Sequence, residues 1–223
     1  MPAAETQRGE CWRCRADAGP TFVCARCGAV QPLPLDADLF SVLGLPRRLA
    51  IDVADLEARY HAASAAVHPD RHQTASPRER ELSLAASAAV NRAYRTLRDP
   101  VLRGRYWLEL HGTRLGDEGP RVPPEIAAEV FEAQEKLEEL RAAGAAPEAG
   151  ALRREVDTLH ARLAARVVAL SDALLSAYAA GNGGGPALDD LRRRLSEIAY
   201  LRTLLGDIEE TIEGGLRGTD HRH

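Results

Sequence analysis

The segment LEARYHAASAAVHPDRH, residues 56–72, decides how the middle of the chain folds. Its apolar residues recur at spacings of four, three and four, which predicts a helix with one buried face. Those residues are Leu56, Tyr60, Ala63 and Val67. Asp52 precedes them as a helix N-cap. Pro69 ends the helix, because proline has no amide hydrogen and disfavours a helical conformation in the residue before it.

The segments on either side predict three more helices. DADLFSVLGL (36–45) has an Asp N-cap and a closing glycine, which is typical of a short helix. SPRE (76–79) has the form of a capping box and begins a long amphipathic helix. Asp99 and Pro100 begin the next helix, which Gly112 ends. The apolar positions of these last two helices are Leu82, Ala85, Ala89, Val90, Ala93, Tyr94 and Leu97, then Leu102, Tyr106, Leu108 and Leu110.

The C-terminal part of the chain predicts a bundle of three helices. Pro124 begins a helix that runs to about residue 143, Pro147 begins one to about residue 180, and the last runs from about 188 to about 213. Helices joined by short loops pack as an antiparallel bundle. GNGGGP (181–186) lacks the Gly-Lys-Ser/Thr ending of a phosphate-binding loop, so we interpret it as a linker.

The composition agrees with a nearly all-α protein. The chain has 223 residues, of which 45% are hydrophobic and only 4% aromatic. Alanine and leucine favour helices over sheets. A formal net charge of −4 gives no general attraction to nucleic acid or to anionic membranes. We find no apolar run near the roughly 20 residues of a membrane span and no signal peptide, so we expect a cytoplasmic protein.

All four cysteines lie near the N-terminus in two CxxC pairs, Cys11 with Cys14 and Cys24 with Cys27. Two such turns supply the four thiolates that a tetrahedral Zn²⁺ site requires, and a filled sulfur shell indicates a structural rather than a catalytic ion. Two disulfides, a redox-active pair and an iron–sulfur cluster remain as alternatives. A zinc ribbon that binds nucleic acid is a further alternative, because the segment carries three arginines, Arg13, Arg15 and Arg26.

The chemistry of the segment His68-Pro69-Asp70 allows two interpretations. An X-Pro-Asp corner is ordinary turn chemistry, because proline presets φ and aspartate caps the next turn. His68 and Asp70 would instead form an acid–base couple in an enzyme, aided by His61 or His72. The sequence shows no nucleophile motif or carboxylate pair beside them, so we assign no catalytic residue and expect no enzymatic activity.

The whole segment 38–112 resembles a J-domain. The matching stretches are DLFSVLGLP (38–46), LEARYHAASAAVHPDRH (56–72) and VNRAYRTLRDPVLRGRYWLELHG (90–112). LFSVLGLP and RYWLELHG resemble, more narrowly, the HscB type of J-protein, a co-chaperone of iron–sulfur cluster assembly. The resemblance extends to the cysteine segment and the C-terminal bundle. It implies three domains: a zinc knuckle (9–30), a J-domain helical hairpin (37–112) and a three-helix bundle (122–215).

The resemblance implies that His68, Pro69 and Asp70 engage a DnaK-type chaperone, of the HscA kind, and stimulate its ATP hydrolysis. Neighbouring basic residues would add a surface suited to an acidic patch on that chaperone. They are Arg59, His61 and Arg71, with His72 just beyond them.

The resemblance also implies that the bundle binds an IscU-like iron–sulfur scaffold protein. Aligning VFEAQEKLEEL (130–140) and AYLRTL (199–204) with the family gives the contact residues Val130, Phe131, Gln134 and Tyr200. Isolated aromatic residues on bundle helices are equally suited to the core, so Phe131 and Tyr200 have that alternative. Glu135, Glu138 and Glu139 would add charge complementarity, or are simply the solvated face of the helix.

The sequence therefore predicts a non-catalytic co-chaperone with two partners, an ATPase chaperone and a cluster scaffold. A J-protein with a different client is one alternative. A zinc-ribbon protein that binds nucleic acid is the other, and salt-dependent binding without ATPase stimulation would identify it.

Overall fold

A computed structural model describes residues 9–19, 22–34, 37–115, 122–144, 149–180 and 186–217. Within those ranges it contains seven α-helices, two short 3-10 turns and no β-strand, which confirms the all-α prediction. The helices are α1 (Leu39–Val42), α2 (Val53–Val67), α3 (Pro77–Arg98), α4 (Pro100–Leu110), α5 (Ala127–Ala143), α6 (Ala149–Ala180) and α7 (Leu188–Arg217). The 3-10 turns are Pro69–His72 and Pro124–Ile126.

The chain divides into two compact units, Met1–Arg103 and Gly104–His223. The boundary falls inside α4, whereas the sequence placed it after Gly112. The reason is the packing of the second half of α4, where a Cβ added to Gly104 would lie 2.3 Å from the Tyr178 hydroxyl oxygen. That half of α4 is thus built into the same unit as α6.

The first unit is organised around the antiparallel hairpin of α2 and α3. The rings of Tyr60 and Tyr94 stack with centroids 4.0 Å apart. Nearer the turn, the Ser83 hydroxyl donates to the Val67 carbonyl oxygen at 2.7 Å. Asp52 caps α2 by accepting from two backbone amides, and the Ser76 hydroxyl caps α3 by accepting from the Glu79 amide. These caps confirm the predicted helix starts.

Two buried faces differ from those predicted. On α3, Ala86 is buried and Ala85 is exposed. On α4, Leu102 and Leu110 are 40% and 37% exposed, while Arg103 is only 2% exposed. The physical reason on α4 is hydrogen bonding, because a charged side chain can be buried when backbone carbonyls satisfy its donors. Arg103 donates to the carbonyl oxygens of Leu97 and Leu49 at 2.7 and 2.8 Å.

The second unit contains the three-helix bundle of α5, α6 and α7. Glu132 pairs with Arg162 and Lys136 with Glu155, so α5 runs antiparallel to α6. His160 lies 3.1 Å from Glu209 and Arg153 donates to the Ile212 carbonyl oxygen, so α6 runs antiparallel to α7. The buried core of the bundle comprises Ile126, Val130, Ala133, Leu137, Val156, Leu159, Leu163, Leu201, Leu204 and Ile208.

The predicted helix starts in this unit are close to those observed. Pro124 begins a 3-10 turn that leads into α5. Pro147 and residues 181–185 of the predicted linker lie outside the described residues. The last helix runs to Arg217, beyond the end expected near residue 213.

Helix α6 is, in the described part of the chain, long and apolar enough to cross a membrane by length and composition. This qualifies the expectation that no apolar run approaches that length. A single such helix is weak support for a membrane span, because core helices meet the same criterion. Leu159 and Leu163 of α6 lie in the bundle core, while 17% of the most apolar window of the helix is buried.

Candidate metal centre and exposed loop

The structure brings the four cysteine thiols together. Their Sγ atoms all lie within 4.8 Å of one another. The Cys11–Cys27 and Cys14–Cys24 Sγ distances are 3.7 and 3.8 Å. Four sulfurs bound tetrahedrally at about 2.3 Å would be about 3.8 Å apart, and a disulfide would be about 2.0 Å long. The four residues therefore fit one tetrahedral metal ion and are free thiols rather than disulfides.

Two equivalent backbone turns hold these thiols. The amide of Arg15 donates to the Cys11 carbonyl oxygen, and the amide of Gly28 donates to that of Cys24. Arg15 and Gly28 both have positive φ, +62° and +71°, because each turn needs a left-handed residue after its second cysteine. Glycine suits this position at Gly28, and Gly19 also has positive φ.

Hydrogen bonds among the cysteines shift the pKa values of two of the thiols in opposite directions. Burial raises the pKa of the Cys11 thiol, but hydrogen bonds from the Cys14 and Arg13 amides lower it to about 6. The Ala29 amide lowers the pKa of the Cys27 thiol, but burial and the neighbouring thiols raise it to about 12. The two directions differ because the thiols hydrogen-bond one another: these bonds lower the pKa of Cys11 and raise that of Cys27. A divalent ion at this site would hold all four sulfurs as thiolates.

Gln31 supports the metal centre, although it lies one residue beyond the predicted zinc knuckle (9–30). Its side chain is 3% exposed, and its Nε2 donates to Cys11 Sγ at 3.3 Å and to the Ala29 carbonyl oxygen at 2.7 Å. Its Oε1 accepts from the Trp12 amide at 3.4 Å. Gln31 therefore joins the two turns. A polar residue four positions after Cys27 was the signal in the sequence.

The His68-Pro69-Asp70 corner lies at the end of α2 and is open to solvent. The side chains of His68 and Asp70 are 53% and 73% exposed. His68 Nδ1 accepts from the Asp70 amide at 3.3 Å, and Pro69 begins the 3-10 turn. Gln73 Nε2 donates to Asp70 Oδ1 at 3.2 Å. The corner is thus ordered by its own short-range hydrogen bonds while its polar atoms face outward.

The basic residues around the corner differ in their availability. His61 is exposed on α2. Arg59 donates to the Gly44 carbonyl oxygen at 2.7 Å and to Asp55 at 2.9 Å, so part of its charge is satisfied within the chain. Arg71 donates to the Ala65 carbonyl oxygen at 3.2 Å and remains exposed.

His72 does not belong to this basic surface. Only 9% of the residue is exposed, because its ring packs under the loop and Nε2 lies 3.2 Å from the Ala66 carbonyl oxygen. The expectation that His72 adds to the exposed surface is therefore corrected.

The expected scaffold-contact residues on the bundle separate into core and surface. Val130 is 1% exposed and belongs to the bundle core, so it is unavailable for a partner and this assignment is corrected. Its buried position follows from the helical spacing to Ala133 and Leu137. Phe131 is 67% exposed, and Gln134 is exposed one turn away. Tyr200 is half-buried against the core.

The register of α5 and α7 places Phe131 level with Tyr200. Arg193 pairs with Glu125 at 3.7 Å, and Arg141 donates to the Thr211 hydroxyl at 3.0 Å. These two contacts show that the helices run in the same direction, and Phe131 and Tyr200 occupy corresponding positions between them. The acidic side chains of the predicted patch, Glu135, Glu138 and Glu139, are exposed on α5.

Comparisons with known proteins agree with this architecture. No protein-family model matches the chain. The co-chaperone protein HscB homolog of Azoarcus sp. is 37% identical over 186 residues, which cover 81% of this chain and 98% of that protein. The iron-sulfur cluster co-chaperone protein HscB of Mus musculus is 29% identical over 92% of this chain and 81% of that protein.

A solved structure agrees as well. The crystal structure of human co-chaperone protein HscB matches with a TM-score of 0.66 and 28% identity, covering 90% of this chain and 96% of that one. The alignment thus extends over the hairpin and the bundle rather than over one of them. With the Azoarcus relative matched along almost its whole length, the chain belongs to the HscB family of co-chaperones.

Proposed function

We propose that the protein binds an IscU-like iron–sulfur scaffold protein, delivers it to a DnaK-type chaperone of the HscA kind, and stimulates ATP hydrolysis by that chaperone. The observation that carries the proposal is the exposed His68-Pro69-Asp70 corner at the end of the α2–α3 hairpin. The printed name of the mouse relative, an iron-sulfur cluster co-chaperone, supports the assignment to cluster maturation. The protein itself regulates another protein's hydrolysis and is not an enzyme.

The corner suits recognition by a basic site on the chaperone. Pro69 fixes the backbone, so little conformational entropy is lost on binding. The Asp70 carboxylate is 73% exposed and is able to accept charge-assisted hydrogen bonds from an arginine of the partner. His61 and Arg71 lie on the exposed surface nearby and provide positive charge for an acidic patch, while Arg59 contributes less because it is bonded to Gly44.

On the bundle, we propose that the scaffold contacts Phe131, Gln134 and Tyr200. Phe131 is 67% exposed, so its apolar surface would be removed from water when a partner binds there, which would favour binding. Carrying the two binding sites on one chain raises the effective concentration of scaffold and chaperone for each other, which favours delivery without any new contact.

The metal is proposed to be Zn²⁺, held by Cys11, Cys14, Cys24 and Cys27. Four thiolates fill its tetrahedral shell and leave no position for water, so its contribution is structural. Reduced free thiols agree with a cytoplasmic location. The net charge of −4 argues against nucleic acid as the main partner.

ATPase stimulation of the cognate chaperone tests the proposal. We expect the wild type to stimulate hydrolysis and the scaffold to increase the effect. Asp70→Ala should lower stimulation about tenfold or more, because the charge-assisted contact is lost while the exposed position leaves the fold intact. Glu81→Ala, at an exposed acidic position on α3, is the matched control and should stimulate normally. A wild type that stimulates nothing would contradict the proposal.

Scaffold binding separates this function from that of a J-protein with another client. Titration of the IscU-like scaffold by calorimetry should give an affinity that Phe131→Ala weakens about tenfold. Val168→Ala is the control, because Val168 is a 61% exposed apolar residue on α6 of the same bundle. Equal affinities of the two variants for the scaffold would show that Phe131 is not part of the contact. A wild type that binds no scaffold would favour a different client.

A further inference from the structure

The cysteine knuckle (residues 9–31) packs on the first turn of α3 within the first unit. The Arg78 guanidinium lies 4.7 Å from the centroid of the Trp12 ring. Trp12 is fixed within the knuckle, because its indole Nε1 donates to the Val30 carbonyl oxygen at 2.7 Å. The contact therefore joins a side chain held by the metal-binding turns to a side chain at the start of α3.

Glu79 extends this contact to the loop that carries the His-Pro-Asp corner. Its side chain is 7% exposed, and its carboxylate lies 3.6 Å from Arg13 Nη1 and 3.9 Å from His72 Nδ1. His72 in turn bonds the Ala66 carbonyl oxygen in the last turn of α2. Instead of serving only as the third residue of a capping box, Glu79 thus stands between the knuckle and the residue that ends the 3-10 turn.

A cleft of about 690 Å³ separates the rest of the knuckle from the loop. Both parts contribute to its walls, including Trp12, Arg13, Val23, Arg71, His72 and Glu79. Because the two parts leave this space between them, their connection depends on the side chains that bridge it. A buried carboxylate requires compensating charge, and Arg13 is the knuckle residue that supplies it.

The hydrogen bonds within the corner are short-range and fix its shape rather than its placement on the unit. The 3-10 turn Pro69–His72 contains four residues, and turns of this kind have poor hydrogen-bond geometry. The orientation of the corner therefore depends on where its ends are anchored. One end continues α2, and the other is His72, the residue that Glu79 contacts.

We propose that the metal-bound knuckle positions the His68-Pro69-Asp70 corner through the contacts Trp12–Arg78 and Arg13–Glu79–His72. Trp12, Arg13 and Glu79 are positioning residues that do not touch the chaperone. The consequence for ATPase stimulation rests on the proposed function, but the positioning itself does not.

Amide hydrogen exchange of the metal-loaded full chain tests the positioning without any partner. We expect Glu79→Gln and Arg13→Ala each to speed exchange in residues 70–75 about threefold to fivefold, with metal content unchanged. Removal of the metal by a chelator should have the same effect on this segment. Glu81→Gln on α3 and Arg26→Ala on the knuckle are exposed, matched controls and should leave exchange as in the wild type.

Two further readouts separate positioning from simple helix stability. Exchange in the interior of α3 should stay as in the wild type, whereas a general loss of stability would speed it as well. The double variant Arg13→Ala/Glu79→Gln should match Glu79→Gln alone, because removing Arg13 has no further effect once its carboxylate partner is gone. Unchanged exchange in residues 70–75 in the single variants, or faster exchange throughout α3, would overturn the proposal.

The chaperone assay distinguishes this failure from failure of the proposed function. The variants should stimulate ATP hydrolysis with about a threefold to fivefold higher half-saturating concentration, because part of the population presents a misplaced corner. If the wild type stimulates hydrolysis and Asp70→Ala does not, but amide exchange in residues 70–75 is unchanged by Glu79→Gln, the positioning proposal is wrong and the proposed function stands. If exchange in residues 70–75 responds but the wild type does not stimulate hydrolysis, the proposed function is wrong and the positioning stands.

Discussion

Gly104 and Tyr178 are so close that a Cβ on the glycine would lie 2.3 Å from the tyrosine hydroxyl oxygen. The same Cβ would lie 3.1 Å from Leu195 Cδ1. Tyr178 and Leu195 are buried, so neither side chain has free space into which to move. A glycine at this position therefore lets α4 approach α6 and α7 more closely than any other residue would.

We expect Gly104→Ala to lower the free energy of unfolding by about 1–3 kcal/mol, because the added methyl group overpacks this contact. Urea unfolding followed by circular dichroism measures the change. Gly206→Ala is the matched control, since nothing lies within 4 Å of a Cβ at this helical position. It should leave the stability unchanged or raise it by up to about 1 kcal/mol through better helix propensity. Equal effects of the two substitutions would contradict the close approach.

Replacing Arg103 should lower the free energy of unfolding more than replacing Arg105, its exposed neighbour on α4. Arg103→Met keeps much of the side-chain volume but removes the donors to the Leu97 and Leu49 carbonyl oxygens. Buried acceptors without partners cost about 1–3 kcal/mol each, so we expect a loss of about 2–4 kcal/mol. Arg105→Met, at an exposed position on the same helix, should change the stability by less than about 0.5 kcal/mol. Urea unfolding measures the free energy of unfolding of both variants. Similar losses of stability in the two would argue against a structural role for Arg103.

The stability should depend on pH through Glu197. Burial, and then the negative charge of Glu125, raise the pKa of this 3% exposed residue above its ordinary value of 4.5. A raised carboxyl pKa means that the folded state binds the proton more tightly, so the ionised residue is destabilising above its folded pKa and the penalty disappears as the pH falls below 4.5. Glu197→Gln should therefore gain stability relative to the wild type at about pH 7, and that gain should shrink toward about pH 4.

Urea unfolding of Glu197→Gln and wild type at several pH values measures this difference. Glu210→Gln, exposed on the same helix, should show no such trend. Asp190 has a lowered pKa because Arg194 and Arg193 bond its carboxylate, so its stabilisation is lost on acidification in both proteins and cancels in the comparison. A stability difference independent of pH would contradict the assignment to Glu197.

Loss of the metal should disorder the knuckle and spare the helices. Cys24→Ser removes one of the four sulfurs, and we expect metal content measured by plasma mass spectrometry to fall from about one zinc per chain to near zero. Helical circular dichroism should be nearly unchanged, because the hairpin and the bundle have their own cores. Arg26→Ala should retain the metal, as an exposed residue next to the same turn. Full metal content in Cys24→Ser would contradict a four-cysteine site.

The helix boundaries followed from the sequence because capping is local. Asp52 and Ser76 accept from amides two or three residues away, and Pro69 and Pro100 act on adjacent residues. The cysteine pairs are similar, since each CxxC turn positions its own two sulfurs. The exposed aromatic was a different case, because helical spacing alone left Phe131 and Tyr200 equally suited to the core.

Burial of polar groups was decided by distant parts of the chain. Arg103 is buried because Leu49 supplies an acceptor far away in the sequence, and Glu79 is buried because Arg13 and His72 meet it from two sides. Neither partner is visible in a local pattern that ranks residues by hydrophobicity. Gln31 was missed for the same reason, because its role depends on reaching back to Cys11.

The sequence by itself determined the helices, the four sulfur ligands and the His68-Pro69-Asp70 corner, because each depends on residues within one or two turns of one another. Only the tertiary structure decided which side chains are available to a partner. It placed Val130 in the core and Phe131 on the surface, and it turned Glu79 from a helix cap toward the knuckle. The physical reason is that exposure and ion pairing depend on packing between segments distant in the chain, which no local pattern encodes.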